Sequence, residues 1–176
     1  VRMAANFAFT LGFDQASIMG ALVLIQLVAF VATLLYIKLA NYIGLKNGIY
    51  LGIIGYCFIL FAGYFVESIT HFYIVALLIG CFQGGIQSIS RSLYSRIIPE
   101  KKAAEFYGFY NMLGKFAAVF GPVLMGTVTL LLNNVVNDEI KAARFGLLSI
   151  IILFILGGYV FSKVDIEQGE SIAKNL

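Results

Sequence analysis

Residues 18–37 read IMGALVLIQLVAFVATLLYI, an unbroken run with no charge and a single amide, Gln26. A hydrocarbon layer about 30 Å thick is crossed by about 20 helical residues rising about 1.5 Å each, so this stretch has the length and composition of one membrane span. Working outward from it, further uncharged or nearly uncharged runs occupy 48–66, 72–90, 106–132 and 145–162. The connections hold nearly all the charge, and Lys115 alone interrupts a run. Continuous apolar stretches of this length argue against membrane β-strands, which alternate over about ten residues. The predicted fold is an all-α transmembrane bundle. Upstream, residues 1–13 (VRMAANFAFTLGF) are apolar but too short to cross, and are expected to be the end of a truncated transmembrane helix; the alternative is an interfacial helix at a chain start. Residues 14–176 then hold five spans and, from 163 to 176, a cytoplasmic tail.

Composition agrees with this reading. Of 176 residues, 61% are hydrophobic and 12% charged, which excludes both a water-soluble enzyme and a disordered chain. The formal charge of +3 is modest, and nucleic acid is not an expected partner. Orientation follows from where the basic residues fall. Lys38, Lys46, Arg91, Arg96, Lys101, Lys102, Lys163 and Lys174 share one side, while Lys141 and Arg144 lie on the other. The C-terminus is therefore expected in the cytoplasm, with 14–17, 67–71 and 133–144 facing outward. Trp is absent, so Tyr36, Tyr42, Tyr94, Tyr107 and Tyr110 are expected to form the inner interfacial belt.

Helices in lipid associate through close packing of small residues rather than through the hydrophobic effect. Gly48 and Gly52 open the second run, and Gly80, Gly84 and Gly85 mark the third, so these are the expected contact faces. Gly121 and Pro122 in the fourth run remove a backbone hydrogen bond, which makes them a candidate hinge. Intramembrane polar residues are costly unless they face partners or water, so they are candidates for a solute path. Gln83 and Gln87 share a helical face that Arg91 continues, and Asn111 and Lys115 share another. Gln26 is expected to make an interhelical hydrogen bond. All the carboxylates lie outside the spans. Enzyme constellations are missing: His71 is alone at a span boundary, the cysteines Cys57 and Cys81 read as packing, and no metal-ligand cluster or phosphate loop occurs. No cofactor is expected.

Two blocks resemble a known family. Residues 38–46 (KLANYIGLK) look like the cytoplasmic signature loop of the major facilitator superfamily, with Ala40, Gly44 and Lys46 fitting and with Asn41 and Tyr42 standing where Asp and Arg are usual. Residues 83–99 (QGGIQSISRSLYSRIIP), 105–111 (EFYGFYN) and 114–122 (GKFAAVFGP) closely resemble the C-terminal half of the bacterial relatives of the vacuolar amino-acid effluxer family. Residues 1–13 are similar to the latter part of that family's seventh span.

The resemblance implies the C-terminal six-helix half, one helix truncated, of a twelve-span transporter. Its partners would be the lipid bilayer, an N-terminal six-span half missing from this chain and a small-molecule substrate. Its setting would be a bacterial plasma membrane. Expected functions are secondary transport of a small solute, with amino acids or other carboxylates suiting the cationic, acid-free interior, or a small oligomeric membrane scaffold. Arg2, Gln83, Gln87, Asn111 and Lys115 are the candidate substrate-binding residues. Asn41, Gly44, Lys46, Arg91 and Arg96 are the candidate cytoplasmic gate, and Gly121 with Pro122 the hinge.

Overall fold

The computed structural model describes residues 2–175, with side chains described for 4–174. In chain order it forms α1 (Arg2–Thr10), α2 (Gln15–Ile43), α3 (Leu45–Tyr64), α4 (Ile69–Ile97), a single 3-10 turn at Glu100–Lys102, α5 (Ala103–Val136), α6 (Glu139–Ser162) and α7 (Ile166–Asn175). Five of these helices, α2 to α6, are long and apolar enough to cross a bilayer. The tail from residue 163 is not featureless, because it contains α7.

Local chemistry sets the boundaries. Asp14 caps α2 by accepting from the Ser17 backbone N–H at 3.0 Å and from its hydroxyl at 2.6 Å. Ser68 caps α4 by accepting from the His71 N–H at 3.3 Å, and Asp138 caps α6 by accepting from the Lys141 N–H at 3.1 Å. Between α2 and α3 the chain turns on Gly44, whose φ of 93° suits glycine alone among the common residues. Ile98 is extended at φ −105° and ψ 143°, as the residue before Pro99 must be, and α4 stops there. Pro122 lies within α5, which continues through it as one helix.

The Asp14 carboxyl is held below its ordinary value of 3.8 by the Ser17 hydroxyl and then the Ser17 N–H, and that of Asp138 by the Lys141 N–H and then the Lys141 side chain. A carboxyl whose folded pKa is depressed adds stability above its unfolded value and loses that contribution as pH falls through the folded one. The protection of the Ser17 and Lys141 amides, taken relative to intrinsic exchange at each pH, is therefore expected to fall when pH drops from about 5 to about 3, while the middles of α2 and α6 keep theirs. Equal protection of both caps at the two pH values would contradict this.

Packing is uneven. α2 and α4 are the most intimate pair, α3 bridges α4 and α6, and α5 leans on α6. The α2–α4 contact is glycine-lined on the α4 side. Gly80 brings the Ile25 carbonyl and Val28 close, Gly84 faces Thr33, and Gly85 lies under the ring of Tyr36. Tyr36 is 7% exposed, and its hydroxyl donates to the Gly48 carbonyl of α3 at 2.8 Å. Its role is a wedge joining α2, α3 and α4, instead of the interfacial belt suggested by its place near a span end. Tyr94, Tyr107 and Tyr110 do cluster, and the Tyr94 hydroxyl donates to the Phe106 carbonyl at 2.9 Å across the α4–α5 connection. Gln26 lies on the exposed face of α2 rather than between helices.

The interior has two apolar clusters. One joins Phe7, Ile18, Ile25, Ile59, Phe72, Ile79, Leu147 and Ile150. The other, toward the end rich in Lys and Arg, joins Tyr36, Ala40, Ile49, Ile89 and Leu93. Most remaining apolar side chains point outward, Phe30, Leu34, Phe58, Phe120 and Ile155 among them. Exposed apolar surface on this scale is stable only in a lipid or protein environment.

Candidate functional site

A cavity of 830 Å³ lies among α1, α3, α4, α5 and α6. Its α4 wall is the stripe Phe72, Val75, Ile79 and Gln83, and its α5 wall is Ala117, Ala118, Gly121 and Pro122. Tyr56, Leu60, Leu153 and Phe154 close the sides, with Tyr56 and Phe154 stacked at 5.3 Å. The cavity is largely apolar; its polar side chains are Tyr56 and Gln83, and the side-chain oxygen of Gln83 is buried and accepts no hydrogen bond among the described residues. A buried carbonyl without a donor costs about 1–3 kcal/mol, so a hydrogen-bond donor placed opposite Gln83 would be favoured there.

The other polar candidates continue these two walls. Gln87 follows Gln83 at the i,i+4 spacing, and Asn111 and Lys115 precede Ala118 and Pro122 on one stripe of α5. Depth can be counted from the Tyr94–Phe106 hydrogen bond that ties the helices together. At 1.5 Å per residue Gln87 and Gln83 stand about 10 and 16 Å along α4, and Asn111 and Lys115 about 8 and 14 Å along α5. The four side chains therefore share one layer of the bundle. Gln87, Asn111 and Lys115 are exposed and lie outside the cavity wall. The side chain of Arg2 is outside the described part of the structure.

The gate candidates separate into two groups. Asn41, Arg91 and Arg96 are exposed, and Gly44 makes the turn. Lys46 donates to the Val164 carbonyl at 2.8 Å, just past the end of α6, so it links the α2–α3 turn to the last span. Arg96 lines a second cleft, of 670 Å³, together with Lys46, Lys163, Asp165, Glu167 and Glu170. Gly121 is the buried residue of α5, and Pro122 is exposed beside it.

One residue escaped the sequence reading. Arg144, expected in an outward-facing connection, sits in the second turn of α6 with a side chain only 18% exposed. Its guanidinium donates to the Val66 carbonyl at 3.0 Å, lies 3.8 Å from Glu67 and stands 5.9 Å over the Tyr64 ring. Val66 and Leu147, on either side of this contact, both line the cavity. The available signal was Asp138, a helix-start residue that places Arg144 inside the helix before the apolar run begins. Among the described residues, no three His, Cys, Asp or Glu side chains group to hold a metal ion.

A glycine-packed helical bundle with bilayer-length spans and an interior cleft defines an all-α, multi-pass membrane protein. The chain belongs to the family described as vacuole effluxer Atg22 like, which matches residues 3–174. It is 33% identical over 174 residues to an uncharacterized MFS-type transporter, YxiO, of Bacillus subtilis, covering 99% of this chain and 39% of that protein. Autophagy-related protein 22 of Vanderwaltozyma polyspora is 30% identical over 104 residues, which is 59% of this chain and 18% of that protein. The corresponding protein of Saccharomyces cerevisiae is 26% identical over 125 residues, 71% of this chain and 22% of its own length. The chain therefore spans well under half the length of these relatives. No solved structure matches it.

Proposed function

We propose that the chain is the C-terminal half of a secondary transporter that works by alternating access, with its solute path along the polar stripes of α4 and α5. The observation that carries this reading is the shared depth of Gln83, Gln87, Asn111 and Lys115 on the two helices that flank the cavity. The uncovered face of α5, on which Asn111 and Lys115 stand, is where a second half would complete the path. Gly121 and Pro122 would bend α5 between the two ends of that path. Asn41, Gly44, Lys46, Arg91 and Arg96 would form the gate at the basic end, which the positive-inside rule puts in the cytoplasm of a bacterial cell.

The solute proposed is a small amino acid or other carboxylate. Lys115 offers it an ammonium and Gln83 an acceptor, and the carboxylates of this chain lie outside the spans. In the full-length protein reconstituted in vesicles, Lys115→Met is expected to lower kcat/KM about tenfold or more for radiolabelled neutral amino acids or small carboxylates, the loss of one charge-assisted hydrogen bond. Lys115→Arg is expected to retain most of it. Unchanged kinetics in Lys115→Met would remove Lys115 from the path.

A further inference from the structure

The 830 Å³ cavity is larger than a small amino acid needs. At about 30 Å³ per non-hydrogen atom, the share of a water molecule in the liquid, a leucine side chain fills about 120 Å³ and leaves most of the space empty. Spaces of about 300–1,000 Å³ hold drug-sized ligands, and a chain of about 12 carbons takes up nearly half of this one. The cavity therefore suits a long apolar group. Among the described residues that line it none is charged, so a charged group placed there loses its hydration without gaining a counter-ion.

The polar part of the ligand follows from the groups that stand at one level. Gln83 and Lys115 lie about 16 and 14 Å along α4 and α5 from the basic end. Lys115 is exposed and stands one turn from Ala118 of the cavity wall, so its flexible stem can carry the ammonium to the cavity's edge. A carboxylate held there sets the atoms beside it near the level of the Gln83 oxygen, which is buried and accepts no hydrogen bond among the described residues. On α3, Gly55 lies against the ring of Phe82, which puts Tyr56 within about 3 Å of the level of Gln83. Tyr56 also lines the cavity, and its hydroxyl can donate. A cation at the edge, an acceptor and a donor within, and apolar walls beyond make one ordered set. The donor that meets Gln83 should be neutral. An ammonium would leave water beside uncharged walls, and the carboxylates of this chain lie outside the spans. An amide N–H escapes that penalty, and the amide carbonyl can accept from Tyr56.

We propose that the cavity binds an N-acyl amino acid, with its carboxylate on Lys115, its amide N–H on Gln83 and its acyl chain among Phe72, Val75, Ile79 and Leu153. The proposal rests on the reading of Lys115 as part of the solute path, and its test separates binding from transport. The full-length protein in lipid nanodiscs is titrated with radiolabelled N-dodecanoylglycine, and empty nanodiscs measure partition into lipid. Saturable binding is expected. N-dodecanoyl-N-methylglycine, which lacks only the N–H, is expected to bind about tenfold or more weakly, and Gln83→Leu to bring the two compounds within about twofold of each other. A purely structural Gln83 would instead weaken both alike and keep their ratio. Lys115→Met should weaken N-dodecanoylglycine about tenfold or more. Ala118→Phe, which narrows the cavity, should weaken N-dodecanoylglycine more than N-butanoylglycine.

Binding no greater than to empty nanodiscs would overturn the proposal, whatever the protein then carries. Equal binding of the N–H and N-methyl compounds by the parent protein would overturn it too, as would an unchanged ratio in Gln83→Leu. Saturable, N–H-dependent binding by a protein that moves neither this compound nor free amino acids or small carboxylates into vesicles would uphold the site while the transport reading fails.

Discussion

Replacing Gly85 by valine is expected to have the largest effect of any single change in the bundle, leaving little monodisperse protein in detergent. A side chain at Gly85 would enter the ring of Tyr36. Tyr36 has nowhere to retreat: its hydroxyl is bound to the Gly48 carbonyl, and its ring stands edge-on to Phe82 at 6.0 Å. Phe82 is itself confined, since an added Cβ at Gly55 would lie 2.5 Å from its Cε1. The overlap must therefore be relieved by separating α2 from α4, the most intimate pair in the fold. Overpacking costs about 1–3 kcal/mol when side chains can shift and more when helices must move. Gly85→Ala should fall in the same direction by less. Gly157→Ala is the control, because nothing lies within 4 Å of its added Cβ; it should be neutral or stabilising by about 0.5–1 kcal/mol. Partial rescue of Gly85→Val by Tyr36→Ala would show that the ring is the obstacle. A thermal midpoint for Gly85→Val equal to that of Gly157→Ala would refute the wedge.

Arg144→Met should be the next most damaging change. Val66 is 1% exposed, and its carbonyl takes a hydrogen bond from the guanidinium at 3.0 Å. Methionine replaces the apolar stem but leaves that carbonyl unpaired, at a cost of about 1–3 kcal/mol. The partner carboxylate contributes much less, because Glu67 is 72% exposed and 3.8 Å away, so Glu67→Gln should change stability by no more than about 0.5 kcal/mol. Thermal unfolding followed with a thiol-reactive dye, together with exchange at the Phe65 and Val66 amides, would measure both. Arg144→Met and Glu67→Gln behaving alike would mean that the contact with Val66 contributes nothing.

The spans were legible because a bilayer imposes a length on apolar runs, and residues 18–37 and 145–162 satisfy it without any knowledge of neighbours. The glycines of the second and third runs were legible as a type of contact, but their partners were not. That Gly85 meets Tyr36 depends on how α2 and α4 cross, which spacing along either helix leaves open. Tyr36 was read as an interfacial residue for the same reason: an aromatic near a span end looks identical whether it faces headgroups or a glycine. Polar stripes on α4 and α5 could be drawn from helical periodicity, whereas the cavity between them and the orphaned oxygen of Gln83 are properties of assembly. α7, at ten residues, is too short to stand out beside bilayer-length apolar runs. Its start is visible in hindsight: Asp165 accepts from the Gln168 N–H at 3.0 Å, an ordinary helix cap.

The division of contacts among the helices also carries a consequence for biosynthesis. α2 must await α4, its principal companion, with α3 emerging from the translocon between them, so the core of these helices forms only once all three have left the ribosome. α5 is in the opposite position, since its main support is α6, the very next segment to be inserted. Synthesis should therefore yield a three-helix intermediate followed by a hairpin, and the hairpin joins through α6 while α5 stays bare for whatever chaperone, lipid or companion polypeptide reaches it first.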